Sequence, residues 1–308
     1  MITLKNETLT ININPYGAEL SSVIDNRTGH EFLWQGDPKY WGRRAPVLFP
    51  NVGRFKENTY QYQGETYELP QHGFARDMTF QVQNVTSNTA SFNLKSTPET
   101  LEVYPFEFSF QITYILQSNK LTVTYEVLNT STNETMFYNV GGHPAFNMTQ
   151  SVTESSVRPE YDEVSFKFEP SGHYLNIHLT NEGLIDMKKA KYNLVDELPL
   201  SHRTFKKDAL VYQISEQTEV SLLDKVAQVE IRMKPNRMNF FGVWSSYPNR
   251  GGFVCLEPWA GITDSIDATG QLNEKYGVLS LLPHEIKTHD YTMSFSKFDQ
   301  TAEVDKDA

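Results

Sequence analysis

Along this chain apolar and polar residues alternate with a period of two more often than with any other. Leu9, Ile11 and Ile13 alternate with polar neighbours before the turn signal Pro15-Tyr16-Gly17. The longest run places Phe106, Phe108, Phe110, Ile112, Tyr114 and Leu116 at every second position. Successive side chains of a strand point to opposite faces, so this spacing builds one buried face on a strand but would scatter around a helix. Ser118-Asn119 interrupts the pattern, and Leu121, Val123, Tyr125 and Val127 resume it, which predicts a long antiparallel hairpin. The same logic predicts strands over 80–85, 90–94, 164–168, 220–223, 229–233, 240–244, 253–257 and 291–295. Helical signal is confined to about one turn over Pro98-Glu99-Thr100-Leu101-Glu102.

Many strands with turns between them and almost no helix predict an all-β protein, a large antiparallel β-sandwich. No linker divides the chain, so a single domain is expected over 1–308, with the polar, charged tail from about Gln300 to Ala308 frayed. Composition agrees: 16 Tyr, 19 Phe and 4 Trp favour strands, and 17 Gly with 15 Pro supply turns.

Charge narrows the partners. A formal net charge of −11 argues against non-specific binding to nucleic acid or an anionic membrane and suits a neutral small molecule. The start, Met1-Ile2-Thr3-Leu4, carries no basic segment followed by an apolar one, and no apolar run approaches membrane-helix length, so the cytoplasm is the expected compartment. A monomer or homodimer is expected. The single Cys255 excludes an intrachain disulfide framework. No metal motif is legible: His284 and His289, like His173 and His178, stand five apart, which suits neither a helix face nor a strand face. There is no P-loop, dinucleotide fingerprint or Gly-x-Ser-x-Gly elbow, so neither a cofactor nor a metal is expected.

Four segments differ from strand filler: Phe49-Pro50-Asn51-Val52-Gly53-Arg54-Phe55, Leu69-Pro70-Gln71-His72-Gly73-Phe74-Ala75-Arg76-Asp77, Gly141-Gly142-His143-Pro144-Ala145-Phe146-Asn147 and Cys255-Leu256-Glu257-Pro258-Trp259-Ala260-Gly261. Each sets an ionisable residue beside Gly or Pro, where the backbone turns or approaches something closely. A lone histidine is most often a core residue satisfied by backbone; the Gly-Gly before His143 and the Pro after it weaken that reading. Glu257 ends an apolar run, where a carboxylate is either a strand-end surface group or a functional one.

In order and spacing these segments together resemble the aldose 1-epimerase (galactose mutarotase-like) family, over the chain from Gly17-Ala18-Glu19-Leu20 to Leu282-Pro283-His284-Glu285. The form of the last segment resembles the LacX-like subgroup. The resemblance implies the family's antiparallel "supersandwich" and interconversion of the α and β anomers of a sugar. It implies Glu257 as general base on the anomeric hydroxyl and His143 as general acid on the ring oxygen. Arg54 and His72 would hold the ring oxygen and nearby hydroxyls, and Asp208, in Phe205-Lys206-Lys207-Asp208-Ala209-Leu210, would bind a sugar hydroxyl. A Glu base and a His acid suit the reaction near neutrality without extreme tuning. The sequence departs from better-known galactose mutarotases at Pro258-Trp259-Ala260-Gly261, where they carry a Gln- and Asp-containing stretch. Trp34, Trp41, Trp244 and Trp259 can offer flat apolar surface to a sugar, with Trp259, two residues after Glu257, preferred. Three functions are therefore in play: a 1-epimerase on a free aldose, an epimerase on a hexose 6-phosphate using Arg43, Arg44 and Arg76, and a carbohydrate-binding protein without catalysis.

Overall fold

The computed structural model describes residues 1–151 and 159–297; the tail expected to fray over 300–308 lies outside them. Strands dominate, and a 15-stranded antiparallel sheet runs through most of the described chain. The predicted hairpin forms from Phe108–Gln117 and Lys120–Asn129. Gln117 pairs with Lys120, leaving Ser118 and Asn119 as a two-residue turn that Ser118 opens with a φ of 50°. The register matches the two apolar faces: Leu116 lies opposite Leu121, Tyr114 opposite Val123 and Ile112 opposite Tyr125, all fully buried. Each such side chain taken from water stabilises the fold by roughly 1.5–3 kcal/mol. Leu9, Ile11 and Ile13 likewise form the buried face of Leu9–Asn14 in a separate three-stranded sheet. The one α-helix among the described residues is Pro98–Val103, where Thr97 and Thr100 cap each other's backbone N–H, and four short 3-10 turns accompany it.

Two strands differ from their sequence pattern in extent or burial. The strand predicted over 164–168 runs on as Val164–Leu179 and turns back as Ile185–Pro199, a long arm whose middle is largely solvated on both faces. Without a core on one side there is no selection for alternation, so the period-two signal stops at Phe168. Gln81–Val85 is the last strand at one edge of the sheet and is exposed throughout.

Function is positioned by Phe253–Ala260, which is buried along its whole length. It pairs with Phe240–Trp244 on one side and with Val140–Gly142 and Ala145–Asn147 on the other. Alternation then splits its side chains. Val254, Leu256 and Ala260 enter the main hydrophobic core, whereas Phe253, Cys255, Glu257 and Trp259 occupy the opposite face. No helix among the described residues is long and apolar enough to cross a membrane.

Candidate active site

Register brings His143 and Glu257 together. Gly141 pairs with Trp259 and Ala145 with Cys255, so the residue midway between, His143, falls opposite Glu257 across the ladder. His143 Nε2 lies 3.2 Å from Glu257 Oε2, and both residues are almost wholly buried. Trp41 stacks on the His143 ring at 5.0 Å, and Trp244 and His72 meet it edge-on. The pair forms the floor of a cleft of about 380 Å³, a size suited to a small molecule.

Arg54 and His72 reach the same cleft from two loops joined to each other. His72 has a φ of 68° and Gly73 one of 69°; a Cβ on Gly73 would come within 2.3 Å of the Phe49 carbonyl oxygen. This left-handed turn aims the imidazole inward. The Gly53 N–H donates to His72 Nδ1 at 3.1 Å, which leaves the ring proton on Nε2. Gly53 itself has a φ of 69°, and a Cβ there would sit 2.2 Å from the Thr263 side chain. Thr263 Oγ1 accepts from the Arg54 backbone N–H and donates to the Gly183 carbonyl, tying three segments together at the rim. The Arg54 guanidinium donates to Gln71 Oε1 at 2.9 Å, while its Nε is buried without a partner.

Asp208 lines the cleft just before the strand Leu210–Gln213, with a φ of 81° and its Oδ1 accepting from the Ala209 N–H. Trp259 also lines it, but its ring is seated over two glycines: a Cβ on either Gly141 or Gly242 would come within 2.7 Å of it. Trp259 is 6% exposed, so it offers an edge to the cavity, whereas Trp41 and Trp244 line the same cavity with more surface free. Trp34 packs behind them, against Phe253 and Tyr40. Of the arginines weighed for a phosphate, Arg76 lines the cleft. Arg43 is drawn to Asp77 at 3.0 Å, and the Arg44 backbone N–H is tied to Glu19.

Burial governs the site's protonation. Desolvation pushes the Glu257 carboxyl well above the usual carboxylate range, and the nearby Asp208 pushes it further; the Trp259 indole opposes this. Desolvation likewise pulls His143 down, with Arg76 and Arg43 adding to it. His72 is lowered by burial and then by His143 and three arginines, and Asp208 is raised by burial. The 3.2 Å contact therefore joins two groups whose surroundings both favour neutrality, and their titrations are coupled.

The six residues given a catalytic or sugar-binding role from sequence, Arg54, His72, His143, Asp208, Glu257 and Trp259, lie on this one cavity, whereas Trp34, Arg43 and Arg44 do not line it. Thr263 and Gly183 were not foreseen; neither bears a local signal stronger than a turn glycine, and their role exists only through contacts some 80 residues apart in sequence. Cys255, noted only for what it excludes, stands on the same strand face as Glu257.

The antiparallel sheets form a β-sandwich of the galactose mutarotase-like fold, which here carries a buried carboxyl–imidazole pair in an aromatic-walled cleft. The family comparison agrees: the aldose 1-epimerase model matches residues 1–294, and the chain belongs to that family. A galactose mutarotase related enzyme from Lactobacillus acidophilus superposes with a TM-score of 0.91 at 38% identity, covering 97% of this chain and 98% of the other. A galactose mutarotase-like protein from Lactobacillus casei gives a TM-score of 0.85 at 27% identity, covering 96% of this chain and all of the other. Protein LacX of Lactococcus lactis subsp. lactis is 29% identical over 301 residues, which are 95% of this chain and 98% of that protein.

Proposed function

We propose that the protein is an aldose 1-epimerase that interconverts the anomers of a free aldose such as glucose or galactose, with Glu257 and His143 exchanging protons with the sugar. The observation that carries this reading is the 3.2 Å His143–Glu257 contact on the floor of a sugar-sized cleft. The anomeric oxygen and the ring oxygen share one carbon, so a base and an acid this close together can serve both. Ring opening moves the anomeric hydroxyl proton to Glu257 and a proton from His143 to the ring oxygen. The aldehyde carbon rotates about its bond to C2, and reclosure returns both protons.

Desolvation sets the energetics of the cycle. Opening converts carboxylate plus imidazolium into carboxylic acid plus imidazole, and desolvation favours that neutral pair. The same desolvation disfavours the carboxylate–imidazolium form from which opening starts, so in the free enzyme that form is the minority, and the neutral pair is the form left when the ring has opened. The His72 Nε2–H and the Arg54 guanidinium supply donors for ring and hydroxyl oxygens, and Asp208 supplies an acceptor. Trp41 and Trp244 supply apolar surface for C–H faces.

Optical rotation of freshly dissolved α-D-glucose and α-D-galactose tests the proposal. Wild type accelerates the approach to equilibrium, and Glu257→Ala does not; no acceleration of either sugar by wild type would reject it. One observation favours a second reading, a hexose phosphate substrate. Arg76 lines the cleft with its Nε buried, without a hydrogen-bond partner and 3.6 Å from Asp77 Oδ2, and burial together with Arg43 pulls its pKa down to about 10 against the opposing Asp77. Inhibition of aldose mutarotation by inorganic phosphate, relieved in Arg76→Met, is the outcome that reading requires.

A further inference from the structure

Cys255 has no part in the chemistry above, yet the sheet sets it beside the catalytic pair. Residues two apart on a strand share a face, so Cys255 and Glu257 point the same way, and His143 faces Glu257 from the neighbouring strand. One ligand atom from each of His143, Cys255 and Glu257 lies within 4.8 Å of the other two. All three are buried, and the thiol is free. Imidazole nitrogen, thiolate sulfur and carboxylate oxygen form the mixed donor set that selects zinc-like ions over magnesium or calcium.

The spacing fits one tetrahedral ion. Ligand atoms bound to zinc at ~2.0–2.3 Å stand about 3–4 Å from one another. The imidazole and carboxylate, 3.2 Å apart, are already there. The thiol, within 4.8 Å of the other two ligand atoms, has to close by up to about 1–2 Å. His143 and Glu257 line the cleft, so a fourth coordination position would open onto it, as in zinc sites that keep room for water or substrate.

We propose that His143, Cys255 and Glu257 form a binding site for Zn2+ and similar thiophilic divalent ions, and that its occupation blocks the cleft. His143 Nδ1 is buried without the carbonyl or carboxylate partner that normally orients a zinc-bound histidine. The site is therefore a reversible trap for the ion. The ion occupies the two groups that must exchange protons with the sugar, so binding and turnover exclude each other. The loss of activity rests on the epimerase reading; the binding of the ion does not.

Two readouts keep these apart. Co2+ titrated into the wild-type protein produces a thiolate-to-cobalt charge-transfer band in the near ultraviolet. That band is lost in Cys255→Ala and in Cys255→Ser, the serine variant keeping the side-chain volume should alanine disturb the strand. In polarimetry, Zn2+ slows wild-type mutarotation at least ~tenfold at concentrations where Mg2+ has no effect, and both Cys255 variants need at least ~tenfold more Zn2+ for the same loss. A cobalt band that survives in both variants, the absence of a band in wild type, or zinc inhibition indifferent to Cys255 would overturn the site. A Cys255-dependent band in a protein that accelerates no mutarotation would support the metal site and reject the epimerase reading instead.

Discussion

Replacing Glu257 by Gln separates the two things this carboxyl does. The substitution keeps shape and volume but removes the proton acceptor. Positioned general acid–base groups contribute about 10²–10⁴-fold, so mutarotation should fall by that factor, equivalent to ~2.7–5.4 kcal/mol. Stability should not fall with it. At the 3.2 Å separation of His143 Nε2 and Glu257 Oε2 the gross attraction of a charged pair is ~5 kcal/mol at an effective dielectric constant near 20. Desolvation costs several kcal/mol for each ion, so two buried ions offset or exceed that attraction. Asp208 adds repulsion on the carboxylate. The neutral amide escapes all of this, so the melting temperature should hold or rise, at ~2 °C per kcal/mol for a chain of this size. Polarimetry on fresh α-D-galactose and a thermal melt of the same preparations measure both. A Gln variant within threefold of wild-type rate refutes Glu257 as the base. A melting temperature lowered by more than about 5 °C refutes the claim that burial, and not attraction, dominates the pair.

Asp208→Asn removes a negative charge that raises the Glu257 pKa, so the acidic limb of kcat/KM against pH should move to lower pH; a limb that stays or moves up contradicts the electrostatic account. Gly53→Ala forces a Cβ into the Thr263 side chain at a φ of 69°, and should lower stability by at least ~1–2 kcal/mol with a rise in KM as Arg54 and His72 are displaced, checked by urea melts and kinetics. Lys275 donates to Asn139 Oδ1 and the Ile262 carbonyl in a buried site that pulls its pKa from 10.5 down to about 7, with Asp264 opposing. Between about pH 7 and 10.5 the unfolded chain then holds a proton at this residue that the native state does not, so its contribution to stability rises with pH across that window. Unfolding free energies of wild type and Lys275→Met should therefore diverge in favour of wild type from pH 7 to 10, and a constant difference would contradict the shift.

Much of the fold was legible along the chain because strand alternation is local. Phe108 to Leu116 and Leu121 to Val127 announce their buried faces without reference to anything else, and Ser118-Asn119 announces the turn. The arm formed by Val164–Leu179 and Ile185–Pro199 was only partly legible, since solvent on both faces removes the pattern that a core imposes. The chemical residues were visible as types: Arg54, His72, His143 and Glu257 each stand beside Gly or Pro, and the order of their segments resembles the aldose 1-epimerase family, to which the chain belongs. Their meeting was not visible. It depends on pairing Gly141 with Trp259 and Ala145 with Cys255, and a one-residue slip would turn Glu257 into the opposite core. Nor could the sequence say that Cys255 stands beside this pair, or that Glu257 and His143 are both pushed toward neutrality. Side-chain identity supplies an ordinary pKa, but desolvation by surrounding strands and the nearness of Asp208 set the actual one, and those exist only once the sheet has closed around the site.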